Sequence, residues 1–313
     1  MSHTVLLMGP LLPSVMQTLE SSYSVHRYWE ASDQPALLSS LGDSCVGVVT
    51  DGGRGAEAAL LKQLPKVRIV SVFGVGVDAV DKDYCKAHGI AVSNTPDVLS
   101  DDVADMAVML ALAISRQFVV ADQYARAGRW ENEGATPLTR RMAGKRAGIY
   151  GMGSIGDALA RRLDGFAMQI SYCNRSERAG SPYKFVSSLA ELAASVDYLF
   201  VTASATPGST GAINAEVLDA LGTDGYLINV SRGSLVDEPT LIQYLQKDKI
   251  AGAGLDVFAA EPVIPDALLK LENVVLQPHN ASGTWEAREA MGKLVLDNLG
   301  AHFAGKPLLT PIV

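Results

Sequence analysis

Short apolar runs alternate with helix-like segments along nearly the whole chain. Val5–Met8, Val46–Thr50, Val67–Phe73 and Ile90–Ser93 have the length and apolar content of buried strands. Between them, segments such as Glu57–Leu64 and Lys82–His88 carry helical spacing. Apolar strands separated by helices predict a parallel α/β sheet, because crossover helices bury both sheet faces. The alternation then breaks. Asp101 to about Gly128 reads as one long helix with Ser100 as its N-cap, and a polar stretch, Glu131–Arg141, follows. Alternation then resumes, with strands at Ala147–Tyr150, Gln169–Cys173, Tyr198–Thr202, Gly225–Val230, Gly252–Asp256 and Val274–Gln277. The connecting helices are Ile155–Leu163, Ser188–Ala194, Ala215–Leu221, Pro239–Gln246 and Pro265–Leu271, and a last helix runs from Thr284 to about Phe303. The expected fold class is α/β, with two doubly wound, Rossmann-like parallel sheets.

Length agrees with that reading, since 313 residues at about 150 per domain suggest two domains. Lysine plus arginine is 26 against 34 acidic residues, a net charge of −8, which argues against nucleic acid or an anionic membrane as partner. Any small anion must then be held by a few arginines and backbone N–H groups. Cys45, Cys85 and Cys173 form no Cys-x-x-Cys pair, so no zinc site or disulfide framework is expected. The N-terminal segment lacks a basic region before its apolar run, and the apolar stretch Val103–Ala121 contains Asp105 and Arg116. Neither a secretory signal nor a membrane span is expected, and the default compartment is the cytoplasm.

The sharpest motif is Gly151-Met152-Gly153-Ser154-Ile155-Gly156, which follows an apolar strand and opens an amphipathic helix. That context predicts a dinucleotide loop: Gly151 for the turn, Gly153 for close approach of the pyrophosphate, Gly156 for helix packing. The N-terminal N–H groups of the helix, from Ser154 and Ile155 onward, would face the anion. An NAD site places an acid at the end of the next strand; here Asn174-Arg175-Ser176 stands there. An arginine with two small hydrogen-bonding side chains suits a ribose 2′-phosphate, so NADP(H) is expected in preference to NAD(H). A second glycine loop, Gly74-Val75-Gly76-Val77-Asp78-Ala79, leads to a strand with no acid and reads as a nest of N–H groups for a small anion, or as a plain turn.

Three polar residues follow strands downstream of the dinucleotide loop: Arg232, Glu261 and His279. Ligands in open α/β sheets sit beyond the carboxyl ends of strands. Reducing a 2-oxo acid needs a hydride donor, a proton donor to the nascent alkoxide and a cation for the carboxylate or carbonyl. Histidine held by a carboxylate can give the proton, and arginine can hold the acid.

The chain resembles the D-isomer-specific 2-hydroxyacid dehydrogenases over essentially its whole length. The resemblance is carried by Asn94 to Asp105, by Asn229-Val230-Ser231-Arg232-Gly233, by Gly254-Leu255-Asp256-Val257-Phe258 and by Pro278-His279. The Asn174-Arg175-Ser176 strand end and the tail Gly305 to Pro311 resemble the NADPH-dependent glyoxylate/hydroxypyruvate and hydroxyphenylpyruvate reductase branch. The resemblance implies that Arg232 binds the oxo acid and that His279 is the acid/base with Glu261 as its partner. It implies that Val230 and Asp256 face the nicotinamide, and that Val75 and Gly76 grip the substrate carboxylate through N–H groups. It further implies a discontinuous substrate domain, residues 1–99 and 284–313, around an NADP-binding domain at 100–283, in a homodimer. Departures are Val201 to Thr210 and Asn280-Ala281-Ser282. Phe73, Trp130 and Trp285 are candidate aromatic walls, with Trp130 placed to reach a neighbouring subunit. The expected activity is NADPH-dependent reduction of glyoxylate or hydroxypyruvate to a D-2-hydroxy acid. The alternatives are an aryl-pyruvate reductase, an NAD-dependent dehydrogenase of a larger acid, and a non-catalytic nicotinamide-sensing protein.

Overall fold

The computed structural model describes residues 3–206 and 208–313. Along the chain come β1 (Thr4–Leu7), α1 (Pro13–Ser22), β2 (Ser24–Arg27), α2 (Gln34–Leu41), β3 (Cys45–Asp51), α3 (Ala58–Leu61), β4 (Ile69–Phe73), α4 (Lys82–Ala87) and β5 (Ala91–Ser93). Three helices follow, α5 (Ser100–Ser115), α6 (Phe118–Arg126) and α7 (Arg129–Glu133). Then come β6 (Arg146–Tyr150), α8 (Ser154–Asp164), β7 (Gln169–Cys173), β8 (Lys184–Phe185), α9 (Leu189–Ala194), β9 (Tyr198–Val201) and α10 (Ala215–Leu221). The order closes with β10 (Tyr226–Asn229), α11 (Glu238–Gln246), β11 (Gly252–Leu255), α12 (Asp266–Leu269), β12 (Val274–Leu276) and α13 (Trp285–Phe303).

The chain divides into two compact units. The first is the chain up to Leu99 together with Gly283–Val313; the second is Ser100–Ser282. The first holds a parallel sheet of order β2-β1-β3-β4-β5. Its core is built from Leu6, Val48, Val70, Val72 and Val92, the inward residues of successive strands, with Leu38, Leu41 and Leu61 from the covering helices. The second holds a parallel sheet of order β12-β11-β10-β9-β6-β7-β8. Strands such as β9 and β10 are buried along their whole length, as expected when helices cover both faces.

The sequence pattern departs from the structure in several places. The long helix expected over 101–128 is broken: Gln117 adopts a left-handed conformation (φ 47°), and α5 and α6 meet at 62°. Ser115 donates its hydroxyl back to the Ala111 carbonyl at 2.7 Å, so the last turn of α5 is already closed by a side chain. Ser100 is the first residue of α5 rather than its N-cap, and its buried hydroxyl has no hydrogen-bond partner among the described residues. The edge strands β2 and β8 are absent from the apolar pattern because each pairs on one side only and carries polar residues (Ser24, His26, Arg27, Lys184).

Candidate active site

In the second sheet the strand order reverses at β6 and β9, where open α/β sheets bind dinucleotides beyond the strand ends. The loops after these two strands interlock. Gly151 has φ 108°, and a Cβ there would lie 2.3 Å from the Ala203 nitrogen. Thr202 Oγ1 donates to the Gly151 carbonyl at 2.8 Å. A Cβ on Gly156 would lie 2.5 Å from the Gly151 oxygen, so the first turn of α8 sits directly on the loop. Gly153 is different: a Cβ there would meet nothing within 4 Å. The loop is therefore open at the start of α8, where the N–H groups of Ser154, Ile155 and Gly156 have no intrahelical acceptor.

At the end of β7, Asn174 turns inward. Its Oδ1 accepts the Met152 N–H at 2.7 Å and its Nδ2 donates to the Met152 carbonyl at 3.3 Å. Asn174, expected beside the ribose phosphate, braces the glycine loop. Arg175 and Ser176 are exposed, and no side chain pairs with Arg175 among the described residues. An open helix N-terminus, a bare glycine and an unpaired guanidinium at the strand end fit a dinucleotide carrying a 2′-phosphate.

The three strand-end residues lie in the same unit. His279 Nδ1 and Glu261 Oε2 are 2.6 Å apart, and the other Glu261 oxygen accepts the Phe258 N–H at 3.0 Å. Burial raises the Glu261 pKa, but the hydrogen bonds from His279 and Phe258 and the charges of His279 and Arg232 outweigh it, leaving the carboxyl below its usual value. His279 itself has φ 50°, a left-handed conformation that costs a non-glycine residue about 1–3 kcal/mol. Its turn is pinned by Asp256, which is fully buried. The Asp256 carboxylate accepts the Asn280 N–H at 2.7 Å and the Ala281 N–H at 3.0 Å, and its carbonyl accepts the His279 N–H at 2.8 Å. Burial nevertheless raises the Asp256 pKa, against those two N–H bonds. A residue expected to face the nicotinamide thus fixes the histidine turn as well.

Arg232 stands on a turn held from beneath. Buried Asn229 donates to the Arg232 carbonyl at 2.9 Å and accepts the Ser231 N–H at 3.1 Å. Val230 is also buried, and Ser231 Oγ donates to the Ala203 carbonyl, tying this turn to the dinucleotide loops. A Cβ on Gly233 would overlap the Phe258 carbonyl carbon at 1.9 Å, so the Arg232 turn and the Phe258–Glu261 segment touch backbone to backbone. The sequence pattern does not single out Asn229 or Thr202. The signal available was a polar side chain at or just beyond the end of an otherwise apolar strand.

In the first unit, the loop after β4 exposes N–H groups. Those of Val75, Gly76 and Val77 have no acceptor among the described residues. Thr95 clasps Gly74 from both sides, its Oγ1 accepting the Gly74 N–H and its own N–H donating to the Gly74 carbonyl, each at 2.9 Å. Asn94 Nδ2 donates to the Val75 carbonyl at 2.8 Å. Of the aromatic candidates, Phe73 is buried at 7% exposure, whereas Trp130 and Trp285 are each 70% exposed.

Residues 108–281 match the model of the D-isomer specific 2-hydroxyacid dehydrogenase NAD binding domain. The chain is 47% identical to a hydroxyphenylpyruvate reductase from Plectranthus scutellarioides, over 99% of this chain and 98% of the relative. It belongs to the D-isomer-specific 2-hydroxyacid dehydrogenases. Another relative, glyoxylate/hydroxypyruvate reductase A of Arabidopsis thaliana, is 43% identical over the same shares. Among solved members of the family, an NADPH-dependent glyoxylate/hydroxypyruvate reductase from Sinorhizobium meliloti, in complex with NADP and malonate, is 42% identical. It superposes with a TM-score of 0.94 over 100% of this chain and 97% of that one. The two parallel sheets are the architecture of these dehydrogenases.

Proposed function

We propose that the protein is an NADPH-dependent reductase of small 2-oxo acids, glyoxylate and hydroxypyruvate foremost, yielding the D-2-hydroxy acid. The observation that carries this reading is the 2.6 Å contact between Glu261 and His279 beside Arg232, in the same unit as the glycine loop. The relatives are reductases of 2-oxo acids, one of hydroxyphenylpyruvate and one of glyoxylate and hydroxypyruvate, and the solved glyoxylate/hydroxypyruvate reductase is in complex with NADP. Bound at the Gly151–Gly156 loop, with Arg175 and Ser176 beside its 2′-phosphate, NADPH supplies the hydride.

The chain's own residues do the rest. Arg232 holds the oxo acid and polarises its carbonyl through a charged, forked donor. Ionised Glu261 takes the Nδ1–H of His279, which leaves Nε2 to give its proton to the developing alkoxide. In the reverse direction the same nitrogen removes the hydroxyl proton. Val75 and Gly76 hold the carboxylate through their N–H groups. His279→Ala should lower kcat with glyoxylate by about 10²–10⁴-fold, followed as loss of NADPH absorbance. A folded variant with near-normal kcat would remove His279 from this role.

Two further assignments belong to the proposal. Met109, Phe118, Val119, Trp130 and Leu138, from α5 to just past α7, are all exposed apolar residues of the second unit. A second copy of the chain would cover them, giving a homodimer with Trp130 directed at the partner. Sedimentation equilibrium at micromolar protein should return twice the monomer mass; a monomer would refute it. Buried, unpaired Cys45, Cys85 and Cys173 suit a reducing compartment, and we place the protein in the cytoplasm.

A further inference from the structure

The loop that carries Arg175 and Ser176 is tied down along its length. It spans residues 174–183, between β7 and β8, and Arg175 to Gly180 are all exposed. An exposed loop without helix or strand of its own belongs to the looser parts of a fold. Here it is held at points beyond the Asn174 brace. The Arg178 N–H donates to the Tyr172 hydroxyl at 2.8 Å. The Arg178 guanidinium pairs with the Asp157 carboxylate. The Tyr183 hydroxyl donates to Asp164 Oδ2 at 2.7 Å.

The anchors are rigid parts of the same unit. Tyr172 is fully buried on β7, its ring tilted against Phe185 of β8 with 5.5 Å between centroids. Asp157 and Asp164 both belong to α8, two turns apart on one face. Asp157 stands in the first turn, where its N–H donates to the Gly153 carbonyl at 2.8 Å. The helix that opens on the glycine loop thus also holds the loop at the end of β7. An isolated exposed ion pair holds little. This one closes on a residue whose backbone is already bonded to buried Tyr172, so Arg178 is fixed at both ends. Arg175 and Ser176 sit between two fixed points, Asn174 on one side and Arg178 on the other.

We propose that the Asp157–Arg178 pair is a positioning latch for the 2′-phosphate of the cofactor. It shapes the segment 174–178 so that Arg175 and Ser176 are presented before the cofactor arrives. Binding then orders less of the loop and of a long, rotamer-rich arginine, and only a cofactor with a 2′-phosphate gains. The inference rests on the assignment of Arg175 and Ser176 to that phosphate, and adds Asp157 and Arg178 as residues that act through Arg175. Charge alone predicts the opposite behaviour. Asp157 is an acid in the first turn of the pyrophosphate helix, so removing it should strengthen the binding of a more anionic cofactor. Loss of a latch weakens it.

The test measures Kd for NADPH and for NADH by titration calorimetry on the full chain. Asp157→Ala should weaken NADPH about 3–10-fold, the range for ordering one long side chain, and leave NADH within about 2-fold. In an Arg175→Met background the same substitution should weaken NADPH no further, because the latch works through Arg175. An NADPH Kd that does not rise overturns the proposal. So does an equal loss on both cofactors, or a loss that persists undiminished beside Arg175→Met. Should Asp157→Ala fail to fold, Arg178→Met removes the other half of the pair and is judged by the same outcomes. Arg175→Met alone tests the assignment beneath. If it weakens NADPH no more than NADH, the phosphate role of Arg175 falls and the latch with it; if it is selective and Asp157→Ala is not, only the latch falls.

Discussion

At the scale of single residues, Glu261 links folding stability to pH. Its carboxyl is held below the usual carboxylate value in the fold because the His279 and Phe258 hydrogen bonds and nearby charges outweigh burial. A depressed acid stabilises the fold fully above its unfolded pKa, and that contribution is lost as pH falls through the folded value. Glu261→Gln should therefore unfold at lower urea than wild type near about pH 7, and the gap should close toward about pH 3. A gap that stays constant across that range would contradict the linkage. The residue types were legible in the sequence, since Arg232, Glu261 and His279 each follow a strand. Their supports were not. That Asp256 pins the His279 turn and Asn174 the glycine loop depends on bonds across 24 and 22 residues of chain.

At the scale of elements, the segments after β4 and β5 act together. Asn94 and Thr95, just past β5, hold Val75 and Gly74, just past β4. The clasp extends to the C-terminal tail: Thr310 Oγ1 donates to the Asn94 carbonyl at 2.6 Å. Fully buried Asn298 of α13 in turn donates to Thr310 Oγ1 at 2.9 Å and accepts the Leu309 N–H at 3.0 Å. Removing the Asn94 amide frees the Val75 carbonyl and loosens the N–H groups on either side of it. Asn94→Ala should raise KM for the oxo acid about 5–100-fold, the range for losing one partner of a buried hydrogen bond, with KM for NADPH unchanged. An equal rise in both constants would make Asn94 merely structural. Strand periodicity located β4 and β5, but a clasp between their ends and a tail more than 200 residues away has no periodic signature. The break between α5 and α6 was hidden for a related reason: apolar spacing continues through Gln117, and a single left-handed residue ends the helix.

At the scale of the whole molecule, a net charge of −8 coexists with a few arginines proposed to hold small anions. Arg175 and Arg232 stand in the second unit. A polyanion would meet the whole acidic surface, whereas a phosphate or carboxylate meets only a few donors at close range. Cofactor preference is readable as stability. NADP⁺ at about 100-fold over its Kd should stabilise the protein by about 2.7 kcal/mol, and NAD⁺ at the same concentration by less. Equal thermal shifts would remove Arg175 from the role of phosphate ligand.

The sequence by itself determined the α/β class, the glycine loop and the polar residues that follow the strands. These follow from local periodicity, from turn residues and from side-chain types, all of which are written within a few residues of each other. The tertiary structure decided which polar groups are spent on holding loops and which remain available to a ligand. Asn174 and Asp256 are committed to backbone N–H groups, while Arg175 and the Val75–Val77 N–H groups keep their donors. Hydrogen-bond satisfaction is a property of neighbours in space, and only the packed sheets bring those neighbours together.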